Sequence, residues 1–264
     1  MDLQIKDKIA FVSGSKAGIG FSIAKRLLQE GAKVVINGRT KDGVDKAVQE
    51  LKNDLKNANV SGIAADFSKV DDVNNLLKEL PAVDILINNA GIFEPKPFEQ
   101  IPDEDWFRFF EVNVMSGIRL SRHYFPKMIA KNWGRIIFIS SESAVFIPDE
   151  MIHYGMTKTA QLAISRGLAE LTKGTGVTVN SILPGPTKSK GVVGFLEDLS
   201  KANNKTVDEV EQDFFKNMRP TSLIKRFAST EEIADTVVYF TSPLAAATNG
   251  AAIRADGGLI RSIL

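Results

Sequence analysis

Tyr154 and Lys158 stand four positions apart in a stretch, 154–171, whose apolar spacing predicts a helix. That spacing puts a phenol and an ammonium on one helix face, one turn from each other. A cation so placed favours the phenolate and lowers a pKa that ordinarily lies near ~10. The pair can then give and take a proton around neutral pH. Tyrosine and lysine meet this way on many solvated helices with no chemistry attached, so the neighbouring segments decide what the pair means.

A second segment supplies that context. Ser13-Gly14-Ser15-Lys16-Ala17-Gly18-Ile19-Gly20 follows an apolar run at 9–12 and opens an amphipathic stretch at 19–29. Amides at the start of a helix can hold a pyrophosphate, and glycine lets the backbone come close to it. The spacing is G-x-x-x-G-x-G, which differs from the G-x-G-x-x-G of the common dinucleotide fingerprint.

The elements that position these groups read as strands at 9–12, 33–37, 60–64, 84–87, 135–140, 177–183 and 251–254. Most are continuous apolar runs, as expected of strands covered on both faces. Helices are predicted at 19–29, 44–55, 70–80, 106–130, 154–171 and 231–241. The alternation predicts an α/β fold: a doubly wound, Rossmann-like parallel sheet of about seven strands with helices on both faces. No linker or repeat divides the chain, so 1–264 reads as a single domain. In such sheets ligands bind beyond the carboxyl ends of the strands, where the tyrosine and the glycine turn both fall. The segment 188–225 breaks the rhythm. It is rich in Lys, Asp, Glu and Asn, carries Phe214, Phe215 and Met218, and predicts two short helices forming a lid over a substrate.

Composition narrows the partners. A net charge of +1 gives no electrostatic argument for nucleic acid or an acidic membrane. The absence of cysteine excludes disulfides, thiolate metal sites and cysteine nucleophiles, and fits a reducing compartment. His123 and His153 are far apart without clustered acids, so no metal site is expected. His153 reads as a rim residue and His123 as a helix-packing one. No apolar run is long enough to span a bilayer and the first residues are polar, so the expected location is cytoplasmic.

Further motifs join these in a fixed order: Asn88-Asn89-Ala90-Gly91, Asn113, Ser141 thirteen positions before Tyr154, Pro184-Gly185, and Asp256-Gly257-Gly258. Together with the glycine turn and Tyr154-x-x-x-Lys158, the chain resembles the short-chain dehydrogenase/reductase family over essentially its whole length. Ser13 replaces that family's usual threonine and keeps the hydroxyl.

The resemblance implies an oxidoreductase that interconverts a carbonyl and a secondary alcohol by hydride transfer. Tyr154 would move the proton, Ser141 would hold the carbonyl oxygen, and Lys158 would hold the nicotinamide ribose and keep the Tyr154 pKa low together with the positively charged oxidised ring. Asn113 would hold a water against Lys158. The cofactor contacts carried over are Gly14, Ser15, Lys16, Gly18, Ile19 and Gly20 in the turn, then Asp66 and Phe67 after the third strand. Asn89, Ala90 and Gly91 after the fourth strand, and Pro184, Gly185, Thr187 and Ser189 after the sixth, complete the set. After the second strand, Asn37-Gly38-Arg39-Thr40 lacks the acid that would accept from a ribose 2′-hydroxyl. Arg39 suits a 2′-phosphate, so NADP(H) is preferred and NAD(H) stays open. A 3-oxoacyl-thioester reductase is the first specific reading; a steroid, sugar or other carbonyl substrate and a non-catalytic NADP(H)-sensing protein are alternatives. By the same resemblance the chain forms a homotetramer.

Overall fold

In the computed structural model, which describes residues 1–263, seven strands form one parallel sheet. They are β1 (Ile9–Val12), β2 (Lys33–Gly38), β3 (Val60–Ala64), β4 (Ile85–Asn88), β5 (Gly134–Ile139), β6 (Val177–Pro184) and β7 (Ala252–Ala255). Their order is β3-β2-β1-β4-β5-β6-β7. The direction of winding reverses between β1 and β4, and the two adjoining crossovers leave a crevice above their carboxyl ends. Leu264, the last residue of the predicted domain, lies outside the described residues.

The apolar runs of the central strands follow from having a core on each side. Along β1, Ala10 and Val12 face one core and Phe11 the other; along β4, Ile85 and Ile87 oppose Leu86 in the same way. One core is closed by α1 (Gly18–Gln29), α2 (Lys41–Asp54) and α9 (Thr230–Thr241), through residues such as Ile23, Leu51 and Val237. The other is closed by α3 (Val70–Glu79), α5 (Ser116–Lys131) and α6 (Ile152–Glu170), through Leu76, Leu120 and Tyr124. Each such side chain contributes about 1.5–3 kcal/mol by leaving water. This is a single-domain Rossmann-like α/β fold.

The helix expected at 106–130 is not continuous. It runs as α4 (Asp103–Phe110), a π-helical turn (Glu111–Met115) and then α5. The turn loosens the backbone ladder at Asn113, whose carbonyl bonds outside its own helix.

The segment after β6 holds the two expected helices, α7 (Lys190–Asn203) and α8 (Val207–Asp213), followed by a second π-helical turn (Phe214–Met218). It has a small core of its own, in which Leu196, Val210 and Phe215 meet Phe227. Thr206 caps α8 in a reciprocal capping box with Glu209. Lys188 ties the base of the segment to Glu211 at 2.9 Å.

Candidate active site

The glycine turn lies where β1 ends and α1 begins, with Gly14 and Gly18 at positive φ (61° and 64°). A Cβ built on Gly14 would fall 3.0 Å from Ala90 Cα, and one on Gly20 only 2.5 Å from Asn89 Nδ2. Asn89 itself braces the turn, donating to the carbonyls of Ser13 and Gly14, both at 2.9 Å. Ser15 is fully buried: its hydroxyl donates to Val12 O at 2.6 Å and accepts from Asn37 N, while its own N–H bonds Asn37 O. Ser15 therefore holds the turn against β2, and its donors are spent inside the fold. Gly18 and Ile19 form the open start of α1, and Ser189, which caps α7 by accepting from Val192 N, faces Gly18 across the cleft.

A groove of about 360 Å³ runs from this turn along the ends of β1, β2 and β4, lined by Gly14, Lys16, Arg39, Asp66, Phe67, Ala90 and Gly91 among others. At its far end Lys16 reaches across Gly38 towards Gly43 in the first turn of α2. Arg39 is exposed, and among the described residues neither Lys16 nor Arg39 makes a hydrogen bond or an ion pair. Thr40 caps α2 by accepting from Gly43 N at 3.3 Å. Asp66 accepts from Ser68 N and Ser68 Oγ; burial raises its pKa, but these bonds and the nearby Lys69 and Arg39 charges together hold the carboxyl below the usual range. Two unpaired cations beside a helix start, with glycines where a ligand must come close, make a fitting cradle for a dinucleotide carrying an extra phosphate.

The reacting groups converge where this groove meets a deeper cavity. Tyr154 and Lys158 lie on the first two turns of α6, with the Lys158 ammonium 5.6 Å from the centre of the Tyr154 ring. Lys158 Nζ donates to Ile139 O at 2.9 Å and to Gln161 Oε1 at 3.4 Å. Gly91 joins groove to cluster, since a Cβ built on it would lie 3.6 Å from Lys158 Nζ. Ser141 follows β5 and caps a short 3₁₀ turn (Glu142–Ala144), its hydroxyl accepting from Ser143 N at 3.1 Å and donating to the Glu142 carboxylate.

Asn113 is fully buried and wholly engaged. Its side chain accepts from Ile92 N at 2.7 Å and donates to Ile92 O and to Thr157 Oγ1. Its main-chain carbonyl, within the π-helical turn, accepts from Gln161 Nε2 at 2.6 Å. The link to Lys158 thus runs through Gln161 and leaves the Asn113 side chain clamping the loop after β4 at Ile92.

The electrostatics of this cluster differ from the expectation of a lowered phenol. Enclosure by protein pushes Tyr154 well above its ordinary pKa, the Glu142 carboxylate pushes the same way, and the Ser141 hydroxyl opposes them. Burial also pushes the Lys158 amine down to about 8, with Glu142 opposing. Burial thus weakens the hold of Lys158 on its proton and of Tyr154 on a negative charge together.

The cavity beyond Tyr154 has a volume of about 330 Å³. Phe93, Met151, Val192, Phe214, Met218 and Phe227 give it an apolar wall, interrupted by Glu142, Ser143, Glu150, Thr187 and Arg219. The side chains from α7 and the second π-helical turn cover it. Thr187, just after Pro184 and Gly185, is buried and donates to Gly185 O at 2.8 Å. Gly185 packs on Asp256: a Cβ there would lie 2.7 Å from Asp256 O.

Sequence reasoning missed Glu142, Gln161 and Arg219, and misplaced His153. That imidazole is fully buried between the rings of Trp106 and Phe109, at 5.9 and 4.1 Å, instead of lying at the rim. The only signal for Gln161 was its place one turn beyond Lys158, on the same helix face.

Comparison with known proteins agrees with this geometry. Residues 8–199 match the family described as short chain dehydrogenase. An uncharacterised oxidoreductase of Bacillus subtilis, YvaG, is 51% identical over 263 residues, covering 100% of both chains. The 3-oxoacyl-[acyl-carrier-protein] reductase of Aquifex aeolicus is 28% identical, covering 98% of this chain and 100% of its own. Among solved structures, L-sorbose reductase from Gluconobacter frateurii, complexed with NADPH and L-sorbose, superposes with a TM-score of 0.94 at 31% identity and covers 100% of both chains.

Proposed function

This chain belongs to the short-chain dehydrogenase/reductase family, and we propose that it interconverts a ketone and a secondary alcohol with NADP(H) as its redox partner. The observation that carries the reading is the meeting of Ser141, Tyr154 and Lys158 between a glycine-lined groove and a covered cavity. In reduction Tyr154 gives its proton to the carbonyl oxygen, and in oxidation it removes one from the alcohol. Ser141 turns its hydroxyl to that oxygen and stabilises the charge developing there. Lys158, held by Ile139 and Gln161, carries the positive charge that the phenolate form requires. The nicotinamide, when bound, supplies or accepts the hydride.

Gly14, Gly18, Ile19 and Gly20 hold the pyrophosphate, Asp66 and Ala90 border the adenosine, and Thr187 and Ser189 border the nicotinamide amide. Arg39, with Lys16 behind it, takes the 2′-phosphate. Support for NADP(H) over NAD(H) comes from the two unpaired cations and from the NADPH-bound L-sorbose reductase. We read the 188–225 segment as a lid because its side chains close the cavity. Exposed Phe107 and Phe110 on α4, with Phe98 in the turn just before it, favour self-association as a homo-oligomer. Among the described residues no helix is long and apolar enough to cross a membrane.

Two substrate classes have support. The apolar wall and the acyl-carrier-protein reductase likeness favour a 3-oxoacyl thioester; the polar insertions and the L-sorbose reductase likeness favour a sugar-like ketone. Initial rates against both classes, with NADPH and NADH in parallel, test the reading. Turnover with NADPH is expected. Tight NADPH binding with no oxidation across the whole panel would make the protein a nucleotide-sensing one instead.

A further inference from the structure

A serine hydroxyl has one proton to give and two lone pairs, and in Ser141 the proton is directed away from the cavity. It goes to Glu142 Oε2, while Ser143 N–H donates to one lone pair at 3.1 Å. One lone pair is left for a substrate. A ketone oxygen only accepts, so in this arrangement Ser141 has nothing to offer it. The hydroxyl becomes a donor to a ketone when a proton stands on Glu142 instead. Glu142 O–H then donates to the second lone pair, Ser143 N–H keeps the first, and the serine proton is free to point at the carbonyl.

The surroundings of Glu142 favour that proton. Its side chain is buried, and burial pushes the carboxyl above its ordinary range against the Ser141 and Ser143 bonds and the Arg219 charge. Arg219, just after the second π-helical turn, brings its Nε to 3.6 Å from Glu142 Oε1, an ion-pair distance beyond a hydrogen bond. Its terminal nitrogens donate to Met218 O at 3.0 Å and to Glu150 Oε1 at 3.1 Å. One guanidinium thus stands between two carboxylates, and its hydrogen bond goes to Glu150. On α6, Lys158 and Tyr154 also face Glu142. The Lys158 amine bonds Ile139 O and Gln161 Oε1. A charged Glu142 resists the phenolate of Tyr154, so a neutral one eases the loss of the tyrosine proton.

We infer that Glu142 is a positioning residue: it holds a proton when the ketone binds, donates it to Ser141 Oγ, and so turns the serine's own proton to the ketone oxygen. The inference rests on the reading of Ser141 and Tyr154 as a ketone site. Glu142 keeps its proton through the turnover; the hydride comes from NADPH, and the proton delivered to the oxygen comes from Tyr154.

The test is kcat/KM for ketone reduction with NADPH, measured against pH. In the wild-type protein it should fall by about tenfold or more as Glu142 ionises, at a midpoint above the ordinary carboxylate range. A glutamine here donates an amide N–H to Ser141 at every pH, so in Glu142→Gln that limb should vanish, whatever the absolute rate. Ser143 N, which also reaches Glu142 Oε2 at 3.0 Å, keeps Ser141 Oγ as its acceptor in this variant. The residual activity of Ser141→Ala should lack the limb too, because Glu142 acts through Ser141. Carbon-13 NMR of carboxyl-labelled glutamate should show one resonance with the same midpoint, missing in Glu142→Gln, and melting curves confirm folding. A flat wild-type profile, a limb at that midpoint that persists in Glu142→Gln, or a Glu142 resonance titrating in the ordinary range would overturn the inference and leave the ketone reading intact. Absence of turnover with every ketone would remove the underlying reading and this role together.

Discussion

The main-chain carbonyl of Asn113 accepts a 2.6 Å hydrogen bond from Gln161 Nε2, and the other end of that amide accepts from Lys158 Nζ at 3.4 Å. This carbonyl lies within the π-helical turn at Glu111–Met115, so Gln161 joins the break between α4 and α5 to the placement of Lys158. Gln161→Leu should therefore lower kcat about 10-fold or more and cost about 1–3 kcal/mol of stability, through a buried carbonyl left unpaired. Steady-state rates and urea unfolding check both; wild-type kcat in this variant would detach Gln161 from the mechanism.

Arg39→Asp places an acid where a 2′-phosphate is expected and removes a donor. Loss of one charge-assisted contact, about 1.5–3 kcal/mol, predicts a 10- to 100-fold fall in kcat/KM for NADPH and a gain for NADH. Lys16→Ala should act in the same direction and less strongly. An unchanged NADPH-to-NADH ratio in Arg39→Asp would refute the assignment of this end of the groove.

What the sequence revealed of this site, and what it hid, has a physical pattern. The run 9–12 coincides with β1 because burial on both faces leaves an unbroken apolar signature, whereas edge strand β3 buries only Val60 and Ile63 and is marked by its neighbours in the alternation. Tyr154, Lys158 and Gly14 were legible because their chemistry depends on local spacing. Asn113 stands out in the sequence as a candidate, but its hydrogen bonds do not, since its carbonyl is met by Gln161, 48 positions away. Glu142 reads as an ordinary acid in a turn, and only a fold that brings Arg219 over it makes it a buried group in the cavity wall. His153 was misplaced for a related reason: Trp106 and Phe109, from another helix, close over it.

Lys158 in the unliganded protein should titrate near 8 instead of its ordinary 10.5. Carbon-13 NMR of labelled lysine should show one resonance with that midpoint, missing in Lys158→Met. The sign for stability follows. Between about 8 and 10.5 the unfolded chain holds a proton that the folded chain has released, so this group makes the unliganded fold more stable as pH rises through that window. A midpoint at 10 or above would show that burial does not dominate at Lys158.

Gly14→Ala tests the turn. With φ at 61° and the new methyl 3.0 Å from Ala90 Cα, the variant should lose about 1–2 kcal/mol of stability from backbone conformation alone. NADPH affinity should fall by more than tenfold, since the turn must shift away from its phosphate-holding shape. Melting curves and fluorescence titration measure the two effects; unchanged affinity would place the pyrophosphate elsewhere.

Replacing Tyr154 by phenylalanine removes one oxygen and leaves the ring in place. Single-turnover oxidation of bound NADPH by a ketone that the wild-type protein reduces should slow by about 10²–10⁴-fold, with NADPH dissociation constants within about twofold of wild type. Oxidation at the wild-type rate in Tyr154→Phe would contradict the assignment of Tyr154 as the proton donor.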